Sequence, residues 1–282
     1  MKILKNSSSL EDYINENRKK VKTIGFAPTM GALHDGHISL YKQARSDNDI
    51  VISSIFVNPT QFNNQDDLVK YPRTVEADIE KLKNSGFVDA VYIPSVNDIY
   101  PNGMKSKNYD FDGIEYEMEG AARPGHFDGV GTVVEELFRQ VQPDNAYFGE
   151  KDYQQLKIIM KLVEKLNLPI NIHGVKIHRE NSGLAMSSRN MRLSAEEKNA
   201  STIIHHTLKL INDWTHTLSI SEIKNRVSEV FKKEAGMELE YFLIANEENL
   251  KETEEIEQGK NYRSFIVVNV GDVRLIDNMH IE

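Results

Sequence analysis

Short apolar segments alternate with longer amphipathic ones from residue 21 to residue 177. The segment 50–58, IVISSIFVN, is almost continuously apolar, which is typical of a parallel strand covered on both faces. The segment 153–167, YQQLKIIMKLVEKLN, repeats its apolar residues at helical spacing. The pattern predicts strands at 21–28, 50–58, 89–95, 145–149 and 170–177, and helices at 37–47, 74–86, 128–143 and 153–167.

This alternation predicts βαβ units with right-handed crossovers, and hence an α/β fold: a Rossmann-like doubly wound parallel sheet. Ligands of such sheets bind beyond the carboxyl ends of the strands. The segments 27–36, 57–62 and 148–152 follow predicted strands, and we expect them to contribute to one cleft.

The pattern changes in the last third of the chain. Two amphipathic segments predict helices at 194–214 and 219–236, and three apolar segments predict strands at 239–246, 263–271 and 273–281. Helices followed by strands indicate a smaller C-terminal α+β domain. We therefore predict a Rossmann-like domain at 1–177 and a smaller α+β domain at 178–282.

Composition narrows the classes of function. The 282 residues include no cysteine, which excludes disulfides, thiolate catalysis and cysteine-ligated metals. The net charge of −9 argues against nucleic acid as a partner, although a few basic groups in a cleft can still bind an anionic ligand. The chain shows neither a signal peptide nor a membrane-spanning stretch of 18 apolar residues, so we expect a cytoplasmic protein.

The most informative motif is PTMGALHDGH at 28–37, at the junction of a predicted strand and helix. Met30 and Gly31 form the corner, and His34 and His37 lie where the helix begins. A helix N-terminus offers unpaired N–H groups and partial positive charge, and imidazoles there can stabilise the charge that develops in phosphoryl or nucleotidyl transfer. The His-x-Gly-His element resembles the HIGH signature of nucleotidylyltransferases and class I aminoacyl-tRNA synthetases. Without a ligand function, the same residues would be a helix cap and a solvent-facing histidine.

Two further motifs lie in the N-terminal part of the chain. FVNPTQF at 56–62 places Asn58 and Gln61, two neutral hydrogen-bonding amides, at a strand end, where they suit a small polar substrate or a simple turn. The loop EGAARPGHFDGVGT at 119–132 carries Arg123 and His126, and either closes over substrate or serves only as a connection.

Two motifs supply cationic groups. FGEKDYQQL at 148–156 contains Gly149, Lys151, Asp152 and Gln155; Lys151 can neutralise phosphate charge and Asp152 can hold a ribose hydroxyl, or the segment is an ordinary charged helix start. GLAMSSRN at 183–190 combines hydroxyls with a guanidinium, as an anion clamp does, and resembles a variant of the mobile KMSKS loop. Without a ligand, the same segment would be a surface loop that ends at an asparagine.

Together these motifs closely resemble the pantoate–β-alanine ligase family, whose hallmarks stand nearly unbroken across residues 20–192. The resemblance implies ATP-dependent condensation of pantoate with β-alanine through a pantoyl-adenylate, with release of pyrophosphate and AMP. It also implies Mg²⁺, a homodimer, and small molecules as the only substrates. It implies as well that the domain at 1–177 binds nucleotide and pantoate and that the domain at 178–282 acts as a lid.

Residue roles carry over by position. The resemblance implies that His37, as proton donor, acts with the other catalytic residues His34, Lys151, Ser187, Ser188 and Arg189. It assigns ATP binding to Met30, Gly31, His34, His37, Gly149, Lys151, Asp152, His178, Met186, Ser187, Ser188 and Arg189. It assigns pantoate and β-alanine binding to Gln61, Gln155, Asn58, Arg123 and Met30. Asp78 is the predicted Mg²⁺ ligand. His178 departs from the small aliphatic residue or Thr that is usual in the family beside the adenine.

Two other functions remain open from the residues alone. A cytidylyl- or adenylyltransferase would share the histidine pair but would leave the nucleotide on its product. A non-catalytic nucleotide-binding module would share the fold but would have little use for His34, His37, Lys151 and Arg189 together.

Overall fold

The computed structural model describes the backbone of residues 1–63 and 65–282, and the side chains of these residues except Gln65 and Asp67. The chain divides into two compact units. The first comprises Met1–Glu150 and Gln154–Lys176, and the second comprises Lys151–Tyr153 and Ile177–Glu282. The short segment Lys151–Tyr153, in the middle of one sequence motif, thus packs with the C-terminal third of the chain.

The first unit is an α/β unit built around a parallel sheet. Its strands are β1 (Lys2–Leu4), β2 (Ile24–Thr29), β3 (Ile50–Ile55), β4 (Ala90–Tyr92), β5 (Asn145–Gly149) and β6 (Asn171–Val175). Its helices are α1 (Ser7–Arg18), α2 (Asp35–Asp47), α3 (Gln65–Lys70), α4 (Val75–Ser85), α5 (Val96–Ile99), α6 (Met118–Ala122), α7 (His126–Val141) and α8 (Tyr153–Lys165).

The strand order β1-β4-β3-β2-β5-β6, with all neighbours parallel, confirms the predicted doubly wound sheet. Strand β2 lies at the centre, with Gly25 opposite Val51 of β3 on one side and opposite Asn145 of β5 on the other. Successive side chains of the central strands point to opposite faces of the sheet. Ala27 belongs to a core shared with Tyr41 of α2, whereas Phe26 packs edge-to-face on Phe138 of α7.

The second unit is the predicted α+β arrangement. Its antiparallel sheet is formed by β7 (Met237–Asn246), β8 (Tyr262–Val270) and β9 (Val273–Ile281), in that order. Its helices are α9 (Ala195–Ala200), α10 (Thr202–Trp214) and α11 (Ile220–Lys232). Buried apolar residues of α10, α11 and the sheet, among them Leu208, Val227 and Val268, form one core.

The main differences from the predicted elements have local causes. The helix predicted at 194–214 is two helices, because Ser201 between them turns its hydroxyl back to the carbonyl of Glu197, a bond that bends helices. The predicted strand at 21–28 begins only at Ile24, since Val21 is exposed and has a positive φ. Among the described residues, no helix has both the length and the apolar character needed to cross a membrane.

Candidate active site

At the centre of the parallel sheet, the topology predicts a ligand-binding crevice at the carboxyl ends of the strands. The chain leaves β2 through α2 to reach β3 on one side, while β5 borders β2 on the other side. Connections that depart in opposite directions leave a ligand-binding crevice between them. The loops that follow β2 and β3 carry two of the motifs singled out in the sequence, and Gly149 ends β5 opposite Val175.

The loop after β2 is shaped by a buried carboxylate. Gly31 (φ 83°) and Ala32 (φ 51°) both have left-handed backbones, which only glycine adopts without strain. The carboxylate oxygens of Asp78 accept the N–H groups of Ala32 at 2.9 Å and Leu33 at 2.7 Å. A Cβ at Gly31 would lie 3.0 Å from an Asp78 oxygen, so the loop wraps tightly around this side chain.

The prediction that Asp78 binds Mg²⁺ therefore does not fit its surroundings. The side chain is 3% exposed, and each of its oxygens is engaged by a backbone N–H group, with the Thr74 hydroxyl as a further donor. Among the side chains that the structure describes, which leave out Asp67, no group of three or more from His, Asp and Glu is arranged to hold a metal ion. Asp78 instead positions the loop that leads to the histidines.

His34 and His37 are held together at the start of α2. His34 is the N-cap residue, and the two ring centroids lie 4.0 Å apart. The backbone N–H of His34 donates to Nδ1 of His37 at 3.2 Å, and the N–H of His37 donates to the carbonyl of His34 at 2.8 Å. Because Nδ1 of His37 accepts, the neutral ring carries its proton on Nε2. His37 thus has an N–H donor on the far side of its ring, as stabilisation of a phosphate oxygen requires.

The amides after β3 have different roles from one another. Asn58 is 1% exposed; its Nδ2 donates to the carbonyl of Gly129 and to Oε1 of Gln61, and its Oδ1 accepts the hydroxyls of Tyr100 and Thr60. Burial raises the pKa of Tyr100, which keeps that hydroxyl protonated as a donor. Asn58, predicted to bind substrate, is thus occupied internally and orients the side chain of Gln61.

Gln61 contacts three residues besides Asn58 and connects the two loops. Its Nε2 lies 2.9 Å from Sδ of Met30, and its carbonyl accepts Arg123 at 3.0 Å and Nδ1 of His126 at 2.8 Å. Arg123, predicted to bind substrate, is engaged with this carbonyl and lies 3.9 Å from the carboxylate of Glu119. The segment 119–132, predicted to be a loop, is mostly helical, because it contains most of α6 and the first turns of α7. Through Arg123 and His126 it holds the backbone carbonyl of Gln61.

Of the two glutamines that begin α8, the first is structural. Gln154 is buried and donates to the carbonyls of Ile114 and Glu117, while its Oε1 accepts the N–H of Glu119. Gln155, the predicted pantoate ligand, is half-buried beside it.

In the second unit, the segment Lys151–Tyr153 is anchored through its backbone and a ring. The carbonyl of Lys151 accepts Nδ2 of Asn278 at 2.9 Å, and the guanidinium carbon of Arg263 lies 3.9 Å from the centroid of the Tyr153 ring. Burial, together with the nearby charge of Glu247, raises the pKa of Tyr153 to about 12. The ammonium of Lys151 lies 3.8 Å from the carboxylate of its neighbour Asp152, in a weak surface-type ion pair.

The loop 178–192 of the second unit forms a tight turn. The N–H of Met186 donates to the carbonyl of His178 at 3.0 Å, and Gly183 takes a left-handed φ of 94° at the turn. Ser187 accepts the N–H of Arg189 at 3.2 Å and so caps the 3-10 helix that begins at Ser188. His178 is exposed and contributes its backbone to the loop, so the departure from the family at this position leaves that contact intact.

The predicted site residues thus divide between the two units. The first unit brings together Met30, Gly31, His34, His37, Asn58, Gln61, Asp78 and Arg123, and also contains Gly149 and Gln155. The second contains Lys151, Asp152, His178, Met186, Ser187, Ser188 and Arg189. The motifs of the sequence do not include the partners that fix these residues, namely Tyr100, Arg179, Asp277 and Asn278. Only a buried polar residue inside an apolar strand, such as Asp277 in VRLIDNMHI, could have signalled them.

Comparisons with known proteins show the family of the chain. The family model described as Pantoate-beta-alanine ligase matches residues 2–280. Pantothenate synthetase of Flavobacterium psychrophilum is 48% identical over 282 residues, with 100% of both chains covered, and that of Aquifex aeolicus is 43% identical, with 99% of both covered.

Solved structures give the same result. The crystal structure of pantothenate synthetase from Thermus thermophilus matches with a TM-score of 0.91 at 35% identity, covering 100% of this chain and 99% of that one. That of pantoate-beta-alanine ligase from Francisella tularensis, complexed with beta-gamma ATP and beta-alanine, matches with a TM-score of 0.82 at 38% identity, covering 99% and 97%. The chain therefore belongs to the pantoate–β-alanine ligase family.

Proposed function

We propose that this chain carries out the reaction of its family, the condensation of pantoate with β-alanine to pantothenate, and that the candidate site residues described above bind ATP and the two acids. The observation that carries the proposal is the pairing of His34 and His37 at the start of α2, with a proton left on Nε2 of His37. This donor is preorganised by the backbone, which is the arrangement that stabilises charge developing on a phosphate oxygen.

In the first step, a carboxylate oxygen of pantoate attacks the α-phosphorus of ATP. The bond from that phosphorus to the bridging oxygen breaks, and pyrophosphate leaves with the negative charge. The residues that we assign to the charge on the phosphate oxygens are His34, His37, Lys151, Ser187, Ser188 and Arg189. Met30, Gly31, Gly149, Asp152, His178 and Met186 complete the ATP contacts.

In the second step, the unprotonated amine of β-alanine attacks the acyl carbon of pantoyl-adenylate. The acyl C–O bond breaks, AMP leaves with that oxygen, and the amine loses one proton to solvent. Positioning of the two reactants contributes up to roughly 7–11 kcal/mol in well-oriented reactions of this kind. Gln61 and Gln155 are the side chains we assign to substrate, while Asn58 and Arg123 keep Gln61 in place.

We propose that Mg²⁺ binds together with ATP. Asp78 is engaged with backbone N–H groups, and the described residues offer no cluster of acidic and imidazole ligands. Mg²⁺ commonly keeps several waters and binds substrate phosphates, so we assign it to the phosphate oxygens of ATP. The homodimer rests on the family resemblance, and the cytoplasmic location stays a prediction from the sequence.

An isotope experiment tests the proposed sequence of steps. Pantoate labelled with ¹⁸O in its carboxylate is expected to transfer one labelled oxygen to the phosphate of AMP during pantothenate formation. Mass spectrometry of the AMP measures this transfer. AMP without label would contradict an acyl-adenylate, and a nucleotide retained on the acid product would indicate a nucleotidyltransferase.

The substitution Gln61→Ala tests the substrate contact. We expect the KM for pantoate to rise about tenfold or more, because the side chain amide is lost while Arg123 and His126 still hold the backbone carbonyl. The KM for ATP is expected to change little. Gln43→Ala, at an exposed position of α2, is the matched control. An unchanged KM for pantoate in a folded Gln61→Ala variant would contradict the assignment.

A further inference from the structure

Two consecutive residues of β9 hold both cationic motifs of the second unit. Asn278 donates through Nδ2 to the carbonyl of Lys151 at 2.9 Å. Asp277 receives a two-pronged ion pair from Arg179, with N–O distances of 2.6 and 2.9 Å. Asp277 is 4% exposed and Asn278 is 2% exposed, so both contacts are shielded from water.

The orientation of the Asn278 amide is determined from its other side. Its Oδ1 accepts the guanidinium of Arg263 at 2.6 Å, and Arg263 in turn donates to Glu247 at 2.8 Å. Although burial alone would raise the pKa of Glu247, its hydrogen bond with His280 and the charge of Arg263 lower that pKa. Because Oδ1 faces a permanent donor, Nδ2 is the side of the amide that meets Lys151.

Asp277 acts on the loop 178–192, which contains the GLAMSSRN motif, through Arg179. The same guanidinium that pairs with Asp277 also donates to the carbonyl of Gly183 at 3.1 Å, at the left-handed turn of the loop. Arg179 and Ala185 form a β-bridge, so the turn is fixed immediately before Met186. A planar guanidinium bound at two oxygens fixes direction as well as distance, which a lysine would not.

We propose that Asp277 and Asn278 are positioning residues. Through their contacts they fix the backbone of Lys151 and the loop 178–192 in the relative position that ATP binding requires. This inference rests on the proposed function, because it takes Lys151 and Ser187 to Arg189 as ATP ligands. It assigns to β9 a role in nucleotide binding that none of the motifs in the sequence indicates. Neither residue is required to touch ATP itself.

The substitution Asn278→Asp tests the inference. The new carboxylate keeps Arg263 as a partner but turns an oxygen, in place of a donor, towards the carbonyl of Lys151. We expect kcat/KM for ATP in pantoate-dependent pyrophosphate exchange to fall about 10- to 100-fold, as small misplacements of reacting groups do, with the KM for pantoate unchanged. Asn212→Asp is the matched control. Like Asn278, Asn212 donates to a backbone carbonyl, in its case that of His280.

A double variant separates positioning from general stability. If Asn278 acts through Lys151, Lys151→Ala combined with Asn278→Asp loses no more exchange activity than Lys151→Ala alone. A merely structural role would lower the melting temperature and leave the KM for ATP of the folded protein unchanged. Should Asn278→Asp fail to fold, Asn278→Ser, which adds no charge, and Arg179→Lys replace it. For both we expect a fall in kcat/KM for ATP through a higher KM for ATP.

The outcomes distinguish the inference from the function on which it rests. Full exchange activity in Lys151→Ala would overturn the role of Lys151, and the positioning inference with it. Loss of exchange in Lys151→Ala together with a wild-type KM for ATP in the Asn278 and Arg179 variants would overturn the positioning inference alone. Additive losses in the double variant would show that Asn278 does not act through Lys151.

Discussion

The variant His37→Asn is expected to lose pyrophosphate exchange by about 10²- to 10³-fold in kcat while keeping its fold. The amide oxygen of asparagine can take the place of Nδ1 and still accept the N–H of His34, the bond that measures 3.2 Å in the structure. No donor then remains at the position of Nε2. Steady-state exchange kinetics measure the loss, and thermal unfolding shows that the protein is intact.

The complementary variant His37→Gln provides the comparison. Its amide nitrogen reaches the position of Nε2 and can donate, whereas the bond to the His34 N–H is lost. We expect His37→Gln to retain clearly more activity than His37→Asn, and His216→Ala, at an exposed histidine, to retain full activity. Equal activities for His37→Asn and the wild type would refute the role of Nε2.

The second large effect is expected for Asp78→Asn. Each oxygen of Asp78 accepts a backbone N–H of the loop, and an amide must present its NH₂ to one of these two donors. Hydrogen bonds to a charged group contribute about 1.5–3 kcal/mol, so we expect a destabilisation of about 3 kcal/mol and a melting temperature lower by roughly 5–10 °C. Because the same loop leads to His34, exchange activity is expected to fall at least tenfold in the protein that remains folded.

The control for Asp78→Asn lies on the same helix. Glu76→Gln makes the same chemical change at an exposed position of α4, where we expect an effect within about 0.5 kcal/mol. Exchange activity and melting temperature are measured for both variants. An Asp78→Asn protein that binds Mg²⁺·ATP more weakly but melts like the wild type would favour a metal-binding role for Asp78 over a positioning role.

The sheet was predictable because its signal is local. Near-continuous apolar runs such as IVISSIFVN indicate buried parallel strands, and the stop at Gly86 (φ 70°) ended α4 as expected. The three-residue β1 and the polar α1 were missed, because one is too short and the other too weakly apolar to show a period. The break at Ser201 depends on a hydroxyl turning back on its own helix, which no hydrophobic pattern records.

The candidate site was predictable as far as its residues follow strand ends. The positions of His34, His37 and Gln61 follow from that rule, and the roles of Asn58, Arg123 and Asp78 do not. Asn58 is satisfied by Tyr100, far along the chain, and Asp78 by a loop more than forty residues before it. A polar residue at a strand end can face a ligand or a distant part of its own chain, and spacing alone does not decide between them.

The central claim is that the residues assigned to the phosphates, among them His34, His37 and Lys151, activate pantoate on the α-phosphate of ATP before β-alanine reacts. Exchange of labelled pyrophosphate into ATP, measured with ATP, Mg²⁺ and pantoate but without β-alanine, tests it most directly. We expect exchange that requires pantoate and is lost in His37→Asn. Exchange that proceeds without pantoate, or pantothenate formation by a protein that shows no exchange, would contradict it.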